Sequence, residues 1–262
     1  MNNSFKLRSA ILTCLCVLFS LLVSAKSGAK HYYSFRIYHC KTEAQEQRVE
    51  RYLQQAYVPA LHRAGIKQVG VFKPIEQKGA ERIVYVFVPF SSLDKMLRID
   101  EKLQRDSRYL EDGKDYIEAG YQDAPYSRIE NLILEAFSGM PAPAVPNLTA
   151  KKADRVYELR SYEGPTEKYF ENKVDMFNEG DEVGIFKNLG FNAVFYSKVI
   201  AGSRMPNLMY MTTFNSKADR DKHWTAFGAD PAWKALSAKP EYQNNVSHSD
   251  ITFLYPTEYS DF

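Results

Sequence analysis

The sequence predicts an α+β fold: two tandem β-α-β-β-α-β units whose four-stranded sheets press together as one eight-strand barrel, with helices outside. Three observations predict it. First, Val156-Tyr157-Glu158-Leu159-Arg160-Ser161-Tyr162 alternates and ends near Gly164-Pro165, the pattern of a strand running into a turn. Second, the same strand stands earlier as Tyr33-Ser34-Phe35-Arg36-Ile37-Tyr38, and Phe35 to Leu159 is an offset of 124 residues. That offset also joins Arg36 to Arg160, Tyr38 to Tyr162, Phe90 to Phe214, Ser92 to Ser216, Asp106 to Asp230 and Tyr109 to Trp233, while Gly65 and Gly190 are 125 apart. One spacing held across both halves marks a duplicated unit. Third, a sheet with helices on one face leaves its other face bare. Two copies in one chain can cover each other, and burial at roughly 25 cal/mol per Å² outweighs the closure of a short linker.

The elements follow in order. Residues 31–39 form the first strand. Thr42-Glu43-Ala44-Gln45 is a capping box, and Val49, Leu53, Tyr57 and Leu61 repeat at four-residue spacing along a helix that Gly65 ends. Pro59 lies inside that helix and should bend or divide it. Gln68–Lys73 and Arg82–Phe90 are strands, separated by the turn-rich Gln77-Lys78-Gly79. Ser91-Ser92-Leu93-Asp94 opens a second helix, Asp106 a short further piece, and Arg128–Phe137 is the fourth strand. This order is the ferredoxin-like split βαβ unit, with both helices on one face. Residues 139–153, with Pro141, Pro143 and Pro146, form a stiff linker. The order then repeats over 154–257. There is a strand at Val156–Tyr162, helices from Thr166 and Asp181, and strands at Asn192–Val199 and Leu208–Phe214. Capped helices start at Ser216 and at Asp230-Pro231, and a final strand covers Asp250–Tyr255.

Residues 1–25 stand apart. Lys6 and Arg8 precede an apolar run from Ala10 to Val23, and Val23-Ser24-Ala25 offers small residues for a cut. This is the pattern of a cleavable secretory signal peptide, so the expected address is periplasmic or secreted, with an uncleaved anchor as the alternative. Removal of the leader leaves Cys40 as the single cysteine, and stability must then rest on core burial rather than on an internal disulfide. Aromatic residues make up 14% of the chain, nearly all Tyr and Phe, which favours a core or pocket built from rings. The net charge is +2 with both signs interspersed, so nucleic acid is not an expected partner.

Tyr157-Glu158-Leu159-Arg160-Ser161-Tyr162, Asp219-Arg220 after the third strand, and Asp230-Pro231-Ala232-Trp233 together resemble the NIPSNAP domain, over about residues 155–256. The first half resembles a diverged copy that keeps Arg36, Tyr38 and Asp106 and has Tyr109 in place of the tryptophan. The resemblance implies the dimeric α/β barrel fold, here formed within one chain. Its superfamily includes cofactor-free monooxygenases, haem-handling enzymes and proteins without a known reaction. It implies no settled activity for the branch itself.

With Phe35 and Leu159 turned to the helices, Arg36, Tyr38, Glu158, Arg160 and Tyr162 should face into the barrel. There, two arginines and two phenols could hold an anionic or hydroxylated small molecule. The bland alternative is a buried Arg–Glu pair with tyrosines tied to backbone. Three functional readings stand: a small-molecule binder; a cofactor-independent oxygenase or isomerase with Glu158 or His248 taking a proton; and an assembly protein acting through its sheet edges without a pocket. The histidines lack the spacing of a helical zinc motif, and no phosphate loop or nucleophile elbow is present, so no metal or cofactor is expected. No membrane contact is expected once the leader is removed, and self-association is left open. The loop Arg204-Met205-Pro206-Asn207, with Leu208, could shape a barrel mouth or simply turn the chain.

Overall fold

The computed structural model describes residues 29–77 and 79–262, so the expected leader lies outside the described residues. Eight antiparallel strands close into a barrel in the order β1-β3-β2-β8-β5-β7-β6-β4. The strands are β1 Tyr32–Cys40, β2 Gly70–Pro74, β3 Arg82–Phe90, β4 Arg128–Ala136, β5 Val156–Glu163, β6 Asn192–Ala201, β7 Asn207–Phe214 and β8 His248–Pro256. Each half contributes four. Two seams join the halves: β2 to β8 through Phe72↔Pro256, and β4 to β6 through Ala136↔Ser197. Among the described residues the closed barrel leaves no free sheet edge, which counts against the edge-assembly reading.

The helices lie outside. The first half carries α1 Glu43–Tyr52, α2 Val58–Arg63, α3 Leu93–Leu97, α4 Ile99–Gln104, α5 Ser107–Asp112 and α6 Lys114–Ile117. The second carries α7 Glu167–Asn178, α8 Glu182–Asn188, α9 Lys217–Ala229 and α10 Pro231–Ser237. Thr42 caps α1 by accepting from the Gln45 N–H at 3.2 Å, while the Gln45 side chain reaches back to the Lys41 N–H at 2.8 Å. The division expected at Pro59 takes the form of a wide π turn over Leu53–Tyr57, where the Val58 N–H reaches back to the Leu53 carbonyl. Pro59 has no N–H to continue the tighter ladder.

The repeat is visible in the caps. Ser92 and Ser216 accept the Lys95 and Asp219 N–H at 3.3 and 3.1 Å, and Asp106 and Asp230 both cap at 3.0 Å. Gly65 and Gly190 end their helices with φ of +96° and +77°, a region where an L side chain is strained.

Three apolar layers result. Between the first sheet and its helices lie Tyr38, Val49, Leu53, Tyr57 and Leu61; between the second and its helices lie Phe170, Phe177, Phe186, Tyr210 and Phe227. The third layer is the barrel interior, drawn from both halves: Tyr33, Phe35 and Phe87 from one, Tyr157, Leu159 and Phe195 from the other. Phe87 and Phe195 stack across the halves at 4.9 Å with planes 10° apart. The chain after β8 closes one end, where Phe262 sets its ring edge-on 5.6 Å from Phe87.

The expected facing is therefore reversed. Phe35 and Leu159 point into the barrel, and Arg36, Tyr38, Glu158, Arg160 and Tyr162 point out beneath the helices. The reason is energetic. A closed eight-strand interior excludes water and offers few hydrogen-bond partners, so it takes the rings. The charged residues go where helices bring donors to meet them.

Candidate functional site

Glu158 has a fully buried side chain. Arg160 Nε donates to its Oε1 at 2.7 Å, and Arg220 of α9 donates to both oxygens at 2.8 Å. Trp224 Nε1, one turn further along α9, donates to Oε2 at 2.7 Å. Burial pushes the carboxyl pKa up, but the hydrogen bond from Arg220 and the charge of Arg160 more than offset it, and the net shift is downward. Arg160 continues the chain: its guanidinium carbon sits 3.7 Å over the Trp224 ring, and its Nη1 donates to Tyr162 Oη at 2.7 Å. Tyr162 in turn pairs with Tyr210 at 2.9 Å. Behind this network, Lys173 donates to Glu182 at 2.9 Å, and burial raises the Glu182 carboxyl.

The first half holds the counterpart. Arg36 lies 5.2 Å from the Tyr57 ring centre and 3.6 Å from Asp100, which occupies the position of Trp224 at the 124-residue offset. Tyr38 is fully buried against Tyr116 and Tyr126. The five sequence-predicted residues thus fall into two separate groups, one per half, and neither reaches the barrel interior. Glu158 has both oxygens committed to cationic or indole donors, so the proton-transfer reading loses it as a base.

A different place in the fold offers a chamber. At the barrel end where β1 and β5 finish, a cavity of about 320 Å³ opens inside the wall. Ile37, Tyr85, Leu132, Leu159 and Met209 form its apolar sides. Its rim is polar. His39 has one ring nitrogen 3.0 Å from Glu81 and the other 2.8 Å from Glu130, so both are already engaged by carboxylates. Ser161 and Asn207 hydrogen-bond each other, and Ser203 reaches Glu130 at 3.2 Å. Arg204, at φ +63° in the β6–β7 loop, pairs with Asp250 and lies 3.9 Å from Glu163. Burial alone would raise the Asp250 carboxyl; the Arg204 guanidinium holds it low.

His248 is 57% exposed on this rim, with Nε2 3.3 Å from Asp250. Glu163, His248 and Asp250 present ligand atoms within 4.8 Å of one another, the donor set here that could hold a metal ion. The Arg204 guanidinium already supplies positive charge to both carboxylates of that set.

The β6–β7 loop, singled out in the sequence, does shape this mouth through Arg204 and Asn207, whereas Leu208 packs on the helix side. His39, Glu130 and Asp250 were not readable as site residues. The period of two places each on the barrel-facing side of its strand: His39 and Glu130 stand one step past Ile37 and Leu132, and Asp250 two steps past Leu254, with Thr252 between.

An eight-strand antiparallel barrel built from two ferredoxin-like halves, with helices outside, is a dimeric α/β barrel closed within one chain. Residues 157–261 match the NIPSNAP family model, so the second half of the chain is similar to a NIPSNAP domain. Two solved structures share the fold. A candidate monooxygenase from Lactobacillus acidophilus, 11% identical, superposes with a TM-score of 0.52 over 87% of this chain and 94% of its own. An anthrone oxidase-like protein, 10% identical, gives 0.53 over 88% and 93%. A NIPSNAP family protein from Agrobacterium tumefaciens, 23% identical, covers 40% of this chain and 96% of its own at a TM-score of 0.35. For the first two the likeness is one of fold. No curated protein matches the sequence. Among the described residues no helix is long and apolar enough to cross a membrane.

Proposed function

We propose that the protein is exported, binds a small molecule in the mouth of its barrel and does not transform it. The observation that carries this reading is the chamber of about 320 Å³ in an interior otherwise filled with rings. That volume lies at the low end of ligand pockets, which suits an apolar body of one or two rings. The rim sets the head group. Glu130, Asp250, Ser161 and Asn207 favour a hydroxyl or amine over a carboxylate. The motif residues Glu158, Arg160 and Tyr162 support the site indirectly, by fixing β5 to α9 on the far side of the wall.

The test is thermal-shift screening of the mature protein against small phenols, alcohols and amines, with native mass spectrometry of protein taken from its own cells. Ile37→Trp places an indole in the chamber and should abolish ligand-induced stabilisation. Arg160→Ala should lower the melting temperature yet keep that stabilisation. A full ligand shift in Ile37→Trp, or its loss in Arg160→Ala alone, would overturn the reading.

A further inference from the structure

A second cavity, of about 680 Å³, lies on the outer surface of the first half, and no part of the barrel-mouth site touches it. We propose that this groove binds a small organic phosphate, a dianionic head on an apolar body. Lys67, Lys95, Arg98 and Lys102 line it, against a single carboxylate, Asp94. Arg98 is paired with Asp94 at 2.8 Å. Lys95 and Lys102 rest instead on neutral oxygens, the Ser91 hydroxyl and the Ala64 carbonyl, both at 2.7 Å. Two ammonium groups held only by neutral acceptors gain a charge-assisted bond when an anion arrives.

The charge is not something the fold requires, and the repeat shows why. The caps Ser92 and Asp106 correspond to Ser216 and Asp230 with no insertion between them, so residues in that stretch align one to one. Lys95, Arg98 and Lys102 then correspond to Asp219, Lys222 and Ala226. The same architecture in the second half does without the cationic cluster. The cationic cluster is therefore particular to the first half.

The groove also offers an apolar wall. His31 lines it, with its backbone N–H tied to the Pro141 carbonyl of the linker at 2.8 Å. Ile66, Pro89, Ile99 and Pro143 supply an apolar side for the body of the ligand. The proline-rich linker thereby forms part of a site as well as joining the halves.

Calorimetric titration of the whole mature chain at low salt tests this, with phenyl phosphate as the probe and phenol, inorganic phosphate and phosphatidic acid vesicles as comparisons. One phenyl phosphate should bind per chain, more tightly than inorganic phosphate, and phenol should not bind. The double variant Lys95→Asp, Lys102→Ala writes the second half's residues into the first. It should weaken binding by roughly tenfold or more at an unchanged melting temperature, since a hydrogen bond to a charged group is worth at least about that factor. Lys222→Ala on the other half should bind as the parent does. Absence of binding, undiminished binding in the double variant, equal binding of phenol or of phosphate alone, or binding to the vesicles only would each overturn the proposal.

Discussion

Arg220 grips Glu158 edge-on, Nε to Oε2 and Nη2 to Oε1, both at 2.8 Å. This two-point contact spans 62 residues of sequence and ties the middle of β5 to the first turns of α9. With Arg160 and Trp224 it leaves Glu158 no unfilled oxygen, which makes the motif a fastening of sheet to helix.

Removing one side of that contact should be severe. A buried charge left without its partner costs on the order of 3–5 kcal/mol, and a planar fork is not replaced by an ammonium. Glu158→Ala and Arg220→Lys should therefore both lower the midpoint of denaturant unfolding, with Arg220→Lys failing to restore the parent value. A midpoint within error of the parent for Glu158→Ala would contradict the role given to this contact.

The same pair predicts a pH dependence. The folded-state pKa of Glu158 lies below its unfolded value of 4.5, so its contribution is complete above that value and disappears as the pH falls through the lower folded one. The stability gap between the parent and Glu158→Gln should be full at pH 7 and shrink steadily below about pH 4.5. Chemical denaturation at a series of pH values would show it; a gap that stays constant down to pH 3 would count against it.

Each half alone would expose its barrel face, including Phe87 in one and Phe195 in the other. Fragments 29–138 and 154–262 should not persist as folded monomers, and mixing them should give a one-to-one complex with the parent's circular dichroism. A stable, folded monomer of either fragment would refute this. Within the intact chain, Phe195→Ala should cost about 3–5 kcal/mol, the range for truncating a large buried ring.

Export has a direct readout. Protein recovered from the periplasm or medium of expressing cells should have the mass of a chain beginning at Lys26. Full-length protein confined to the cytoplasm would rule the leader out.

Much of the architecture was readable before any coordinates. The 124-residue offset fixes two units, the caps at Ser92, Asp106, Ser216 and Asp230 fix where helices begin, and the alternation of β5 fixes which residues share a face. Glu158, Arg160 and Tyr162 do lie together, as their spacing requires. What the alternation could not supply was which of two enclosed layers each face meets. The rule that apolar residues turn inward has no purchase on a strand covered on both sides.

The sequence by itself determined the duplication, the order of strands and helices, and the partition of β1 and β5 into an aromatic–aliphatic face and a charged face, because local periodicity and capping are short-range properties. Only the tertiary structure decided that the rings fill the barrel, that Arg220 and Trp224 come from α9 to meet Glu158, and that His39, Glu130, Arg204 and Asp250 gather at one mouth. Those outcomes depend on where distant segments find hydrogen-bond partners once water is excluded, and no local pattern encodes that distance.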